Sequence, residues 1–291
     1  MGYVATIGMF DGVHRGHQFV LRQVVEEAHR RGLHSMAITF DRSLRGEPVL
    51  TPLEEKLLLL SKTGLDHVEV LPFTEELRCM TARQFMGQVL REQLHVEVLL
   101  TGYDNRFGYN RQEGFDDYVS YGRELGISVL QLPAEGRVSS SLIRRQLQEG
   151  QVSQAASLLG YPYTILGTVC HGEHVGTQLG FPTANLILSS DSQLLPAPGA
   201  YAVKVRLEGS LEFKHGMMNI GHRPTFHGHR QTLEVHIFHL SEDLYGQQLL
   251  VSFVDRLRGE RCFSSAEALV GQLRQDAAQA EEILNQEIAE L

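Results

Sequence analysis

The feature that most constrains the fold is a change of periodicity partway along the chain. In the first half, short apolar runs alternate with segments of helical spacing. "YVATIG" reads as a strand; Phe19, Val20, Leu21, Val24, Val25 and Ala28 then recur as on one helix face until Gly32 supplies a stop. "HSMAITF" resumes as a strand, and Thr51, Pro52 and Glu54 make a capping-box start for "EEKLLLLSK". Strand "HVEVLPF" follows, then helix "ARQFMGQVLREQL" capped by Thr81 and Gln84, strand "VEVLLTG", helix "FDDYVSYGREL" and strand "ISVLQLP". Apolar strands separated by helices require a parallel sheet with right-handed crossovers, so the expectation is a Rossmann-like α/β domain.

After two more helical pieces, "SSLIRRQLQEG" and "VSQAASLLG", the pattern changes to short β-rich segments divided by glycine and proline. "YTILGTVC", "GAYAVKVRLEG", "FKHGMMNIG", "TLEVHIFHL" and "LLVSFVDRL" predict a small antiparallel β-barrel. Ser264 and Glu267 form a capping box for a long C-terminal helix whose aliphatic stripe lies on the barrel. The expected domains are 1–160 and 161–291, divided at Gly160.

Composition narrows the function. A chain of 291 residues that is 42% hydrophobic can bury two ordinary cores. A net charge of −9 argues against an extended nucleic-acid footprint. No apolar run approaches the ~20 residues that span a bilayer, so no membrane partner is expected. Gly2 could suggest myristoylation, but the residues after it read as a core strand. Cys79, Cys170 and Cys262 are far apart and without CxxC spacing, which points to a reducing, cytoplasmic setting.

In an open parallel sheet, ligands settle beyond the carboxyl ends of the strands, and "GMFDGVHRGHQ" occupies the first strand-to-helix turn. Gly8 and Gly12 allow a sharp bend, while His14 and His17 fall where helix N-terminal amides favour an anion. Such a turn suits a triphosphate, with imidazoles donating to its oxygens. One histidine could instead cap the helix while the other packs. A metal is the weaker alternative: of three HxxH pairs, His236/His239 lies in an apparent strand, where residues three apart face opposite sides.

A second candidate site lies in "GTVCHGEHVGTQLGFPTANL". Gly172, Gly176 and Gly180 would let backbone approach phosphates, although the GxxxxGK[ST] of a P-loop is absent and the four lysines lie elsewhere. Thr183 and Asn185 are two apart, so an extended chain presents a hydroxyl and a carboxamide oxygen on one face, hard ligands suited to Mg²⁺ carried by ATP. "PTAN", residues 182–185, could instead be a plain turn. Glu234 alternates with Leu233, Val235 and Ile237 and so points away from their face; a solvent-facing carboxylate would read the same way.

These motifs together resemble the bacterial bifunctional riboflavin kinase/FAD synthetases. "TIGMFDGVHRGHQ" is similar to the family's HxGH turn through Gly8, Phe10, Asp11, Gly12, His14, Gly16 and His17; "TGYDNRFG" and "VSSSLIRRQL" follow in order, and "GFPTANL" resembles the riboflavin kinase signature. The resemblance implies phosphorylation of riboflavin to FMN by the second domain and adenylylation of FMN to FAD, with release of pyrophosphate, by the first. ATP and Mg²⁺ are implied for both. His14 and His17 would act at the ATP phosphates with Gly8, Phe10, Asp11, Gly16 and Asp104; Ser140, Ser141 and Arg144 would meet the leaving pyrophosphate; Arg106 and Phe107 would contact flavin. In the second domain Gly172, Gly176, Gly180, Asn219 and Arg223 would line the nucleotide, Thr183 and Asn185 would hold the metal, Glu234 would be the general base, and Arg258 and Arg261 would sit in a loop closing over flavin. The chain departs from the family in "FDRSLRGEP", where a proline-histidine-proline stretch is usual, and at Asn105, where an aromatic is common. Small-molecule flavins and ATP are the implied partners, with self-association left open. A flavin-binding storage or regulatory protein on the same folds is the alternative.

Overall fold

The computed structural model describes the chain except residues 1, 42–45, 104, 134–135, 137, 173–175, 177–178, 226–227 and 290–291; the side chains of 222–230 and 287–289 also lie outside the described residues. It divides into two compact units, Met1–Ser140 and Ser141–Leu291. This division precedes the Gly160 boundary because two connecting helices, α6 (Ser140–Gln148) and α7 (Val152–Leu159), pack largely with the second unit. Val152, Ala155 and Leu159 are buried, and the Leu147 carbonyl accepts from Ala197 N–H at 2.9 Å.

The first unit is the expected parallel sheet. Its strands are β1 (Tyr3–Ile7), β2 (His34–Phe40), β3 (His67–Leu71), β4 (Val96–Thr101) and β5 (Ser128–Gln131), in the order β3-β2-β1-β4-β5, all neighbours parallel. Alternation along β1 sends Val4 towards Val24 and Ala28 of α1 (Arg15–Arg31), and sends Ala5 and Ile7 towards Phe85, Met86, Val89, Leu90 and Tyr118 on the opposite face. With both faces covered, the near-continuous apolar strands are explained.

Helix ends follow the sequence unevenly. Gly32 terminates α1 in the left-handed conformation, and Thr81 and Gln84 form the expected capping box of α4 (Ala82–Gln84). Two caps are corrected. Thr51 does not cap α2 (Leu53–Ser61): Pro52 holds that position without a side-chain bond, and the Thr51 hydroxyl accepts from Gly12 N–H at 3.0 Å instead. At the C-terminus Ser265 rather than Ser264 accepts from the first turn, through Ala268 N–H at 3.2 Å. α4 also passes directly into a π-helix, Phe85–Gln93, rather than continuing as an α-helix; Gly87, a poor holder of α-turns, lies inside it. A short α3 (Glu75–Cys79) and α5 (Phe115–Leu125) complete the unit.

The second unit is a closed antiparallel barrel of β6 (Thr164–Cys170), β7 (Ala184–Leu188), β8 (Gly199–Leu207), β9 (Phe213–Thr225), β10 (Gly228–Ile237) and β11 (Gln248–Gly259), ordered β10-β7-β6-β11-β8-β9 and sealed by the β9/β10 pair. Ala202, Met217, Phe238 and Val254 pack instead with Ala280 and Leu284 of the terminal helix α8 (Ala266–Ala289), which therefore lies on the barrel wall as its stripe predicted. Among the described residues, no helix is long and apolar enough to cross a membrane, and the three cysteines are unbridged.

Candidate active sites

The HxGH turn stands where the strand order reverses, between β1 and β4. Asn105 closes this switch point, its carboxamide donating to the Ile7 carbonyl at 2.5 Å. The turn is strained: Phe10 and Val13 have φ of 47° and 33°, beside Gly12 at 80°. Each such non-glycine residue costs about 1–3 kcal/mol. Both side chains are buried with Leu21, Ala37 and Leu60, which returns about 1.5–3 kcal/mol apiece. Packing therefore balances the strain and holds the turn in one shape.

That shape sets the histidines. His14 is the N-cap of α1, its Nδ1 accepting from His17 N–H at 3.3 Å, and the two rings stack with centroids 3.6 Å apart. The capping alternative is thus part of the geometry, yet it does not account for His17. Its Nδ1 is buried with no partner among the described residues, a loss to stability rather than a gain. Burial first, then the neighbouring His14 and Lys56, hold its pKa well below the ordinary imidazole value. At neutral pH His17 is therefore an uncharged ring, able to donate from only one nitrogen.

Asp11 is tied to the backbone that leads into α2. It is 7% exposed, and its Oδ1 accepts from Leu50 N–H at 2.9 Å and Thr51 N–H at 3.2 Å, stapling the turn to the start of α2. Its carbonyl accepts from the Ser140 hydroxyl at 3.0 Å, so the middle serine of the serine-rich segment meets the turn. Ser141 is exposed and Arg144 half-buried, on the part of α6 assigned to the second unit. Arg106 is exposed, whereas Phe107 stacks on Tyr118 at 4.2 Å and joins the core beneath the sheet. Asp104 lies outside the described residues.

One residue of this site escaped the motif reading. Lys56 is 5% exposed, and its Nζ donates to the Phe40 carbonyl at 2.9 Å, Thr39 Oγ1 at 3.0 Å and the Met9 carbonyl at 3.3 Å. The available signal was a lysine four residues before Leu60, on the stripe of α2 that faces the core.

In the barrel, register rather than sequence distance assembles the second group. Glu234 on β10 pairs directly with Asn185 on β7 and with Asn219 on β9. Directly paired residues project on one side of a sheet, with Cβ atoms about 4.5–5.5 Å apart, so three candidate residues from three strands lie in one row. Leu233, Val235 and Ile237 are buried while Asn219 is exposed, which puts the row on the outer barrel face. Glycines bring the loop onto it. A Cβ at Gly172 would collide with the Asn185 carboxamide, and one at Gly176 would approach Thr183 Oγ1 to 3.0 Å. His236, two residues from Glu234, bonds through Nδ1 to the Pro182 carbonyl at 2.7 Å, anchoring the "PTAN" backbone. Gly180 turns the chain with φ 82°. Arg223's side chain lies outside the described residues. Among those described, no cluster of three histidine, cysteine or acidic side chains could hold a metal, so any ion here would depend on hydroxyl and amide oxygens with its nucleotide.

Arg258 and Arg261, expected in a flavin-closing loop, are drawn to α8. Arg258 pairs with Asp276, Nη2 to Oδ2 at 2.8 Å, and Arg261 reaches Gln272 at 3.5 Å.

Comparison with known proteins agrees with this two-part geometry. The FAD synthetase family model matches residues 1–142 and the riboflavin kinase model matches residues 159–284. A bifunctional riboflavin kinase/FMN adenylyltransferase of Escherichia coli K12 is 38% identical over 97% of this chain and 92% of its own length. That of Haemophilus influenzae is 38% identical over 98% and 95%, and that of Bacillus subtilis 33% over 95% and 91%. A crystal structure from Streptococcus pneumoniae, titled a macrolide-efflux protein, superposes with a TM-score of 0.87 at 29% identity, covering 96% of this chain and 94% of that one. The chain belongs to the bifunctional riboflavin kinase/FMN adenylyltransferase family.

Proposed function

We propose that each unit carries one half of a two-step route from riboflavin to FAD. The protein is a riboflavin kinase and FMN adenylyltransferase. The observation that carries the assignment of steps to sites is that each motif is assembled within its own fold: stacked His14 and His17 at the first unit's switch point, and the Asn185–Glu234–Asn219 row on the second unit's barrel.

In the kinase step, Glu234 takes the proton from the terminal ribityl hydroxyl as that oxygen attacks the γ-phosphorus of ATP, and ADP departs. The glycine loop lies against the phosphates, and Thr183 and Asn185 would hold Mg²⁺; their hard oxygens fit that ion. Mg²⁺ supplies charge neutralisation on the phosphates when bound. In the transfer step, an FMN phosphate oxygen attacks the α-phosphorus of ATP, and pyrophosphate leaves. His14 and His17 hydrogen-bond the polyphosphate as charge moves onto the leaving group, with Ser140 as a further donor. Unbridged cysteines support a cytoplasmic setting.

The test is product chromatography after incubation with Mg²⁺-ATP and either riboflavin or FMN. Glu234→Gln should abolish FMN formation while leaving FAD formation from supplied FMN intact; His17→Ala should do the reverse. A Glu234→Gln chain that still phosphorylates riboflavin at the parental rate would remove the general base, and undiminished FAD from His17→Ala would remove the imidazole.

A further inference from the structure

We propose that Lys56 is a positioning residue for adenylyl transfer: a buried cation that fixes the HxGH turn against the end of β2 and tunes His17 beneath the nucleotide's phosphates. The inference rests on the reading that this turn holds the ATP polyphosphate.

Three observations carry it. First, the ammonium group spends its three protons on three fixed acceptors, two of them backbone carbonyls. Met9 lies inside the strained turn and Phe40 is the last residue of β2, so one side chain ties both strand ends bordering the site. Thr39 reinforces the tie by donating to the same Met9 carbonyl at 3.2 Å. Second, no carboxylate pairs with Lys56 among the described residues; Asp11 and Asp41 act on it only through their charge. A buried charge without a direct counter-ion is costly to hold, and here it is held by neutral oxygens alone. Third, its charge is one of the causes that keep His17 neutral.

The groups facing Lys56 are Asp11 from the turn, Asp41 after β2, and His17 from α1. Burial brings its pKa down to about 8, against the upward pull of the two aspartates. The ammonium is therefore mostly present at neutral pH and lost above it. An arriving polyphosphate favours the charged form, so ATP binding in the transfer step should weaken as pH rises past this value.

The experiment uses the full chain and follows two reactions separately, FMN with ATP to FAD and riboflavin with ATP to FMN, from pH 6.5 to 9.5. In the parent, KM for ATP in FAD formation should climb towards about tenfold per pH unit above the lysine's pKa. Lys56→Met should lower FAD formation by about 100-fold, the scale of an ångström-level misplacement, and flatten that climb. FMN formation should be unchanged in both respects, and thermal unfolding followed by circular dichroism should show that the first unit of the variant is still folded. Lys56→Arg, which keeps the charge at every pH used, should retain more activity than Lys56→Met and lack the alkaline rise in KM. Thr39→Val, removing one acceptor without touching the charge, should reduce FAD formation and keep the alkaline rise. His17→Ala separates the two levels of inference: if it leaves FAD formation intact, the reading of the turn fails. If it abolishes FAD formation while Lys56→Met and Thr39→Val match the parent in rate and pH profile, the role of Lys56 alone is overturned.

Discussion

Replacing Arg258 by Met decides between two uses of one guanidinium. Its Nε lies 2.9 and 3.2 Å from the two Asp276 oxygens and Nη2 completes a fork at 2.8 Å; the side chains are 11% and 3% exposed. Gln272 adds a bond to Asp276 at 2.8 Å, Nη1 donates to the Gly259 carbonyl at 3.2 Å, and Phe263 places its ring 5.5 Å from the cation. Methionine would leave a buried carboxylate with a single amide for company. Losing one partner of a buried pair costs about 3–5 kcal/mol. For a unit of this size each kcal/mol lowers Tm by about 2–4 °C, so a drop of roughly 6–20 °C is expected. Thermal unfolding followed by circular dichroism measures it. The double substitution Arg258→Met, Asp276→Leu should recover most of the loss, because two matched apolar groups leave no stranded charge. A single variant that melts at the parental temperature and only raises KM for riboflavin would refute the argument and return Arg258 to the flavin site.

Two other outcomes follow from close contacts and burial. Gly172→Ala should reduce FMN formation by about 100-fold by displacing the Asn185 carboxamide, leaving FAD formation from supplied FMN and the unfolding temperature near parental values; equal kinase activity would show the loop is not held against Asn185. For Lys56, the folded pKa of about 8 lies below the usual 10.5, so the unfolded chain binds the extra proton between them and stability rises with pH across that window. Relative to Lys56→Met, unfolding in urea should show the parent gaining up to about 3 kcal/mol from pH 8 to 10.5; parallel stability curves would contradict an uncompensated buried amine.

What was legible in the sequence was whatever depends on neighbours along the chain. Alternating strands and helices led to the parallel sheet, Gly32 ended its helix, Thr81 and Gln84 formed their box, and the histidine turn fell at the first strand's carboxyl end. Residues with distant partners were less legible. Thr51 has the sequence of a helix cap, but Gly12, 39 positions earlier, claims its hydroxyl; Asp11 belongs to a nucleotide motif by sequence and to the backbone of residues 50 and 51 by geometry. Arg258 reads by sequence as a flavin-loop residue or a surface charge, and its partner Asp276 lies 18 positions later on another element. Local spacing cannot distinguish a polar side chain waiting for a ligand from one already satisfied by a remote segment.

The Glu234 row makes the same point in the opposite direction. Alternation with Leu233, Val235 and Ile237 established which face the carboxylate takes, but a solvent-facing residue has that pattern too. Its neighbours follow from barrel closure, which seats β10 between β7 and β9 and sets Asn185 and Asn219 on either side of it. A one-residue slip in either pairing would turn the partner amide to the opposite face, against the buried Leu186 or Met218. Moving those apolar side chains into water resists the slip. The register that gathers the polar row is therefore maintained by the hydrophobic residues alternating with it: in this barrel the core, rather than any contact among the polar groups, places the row.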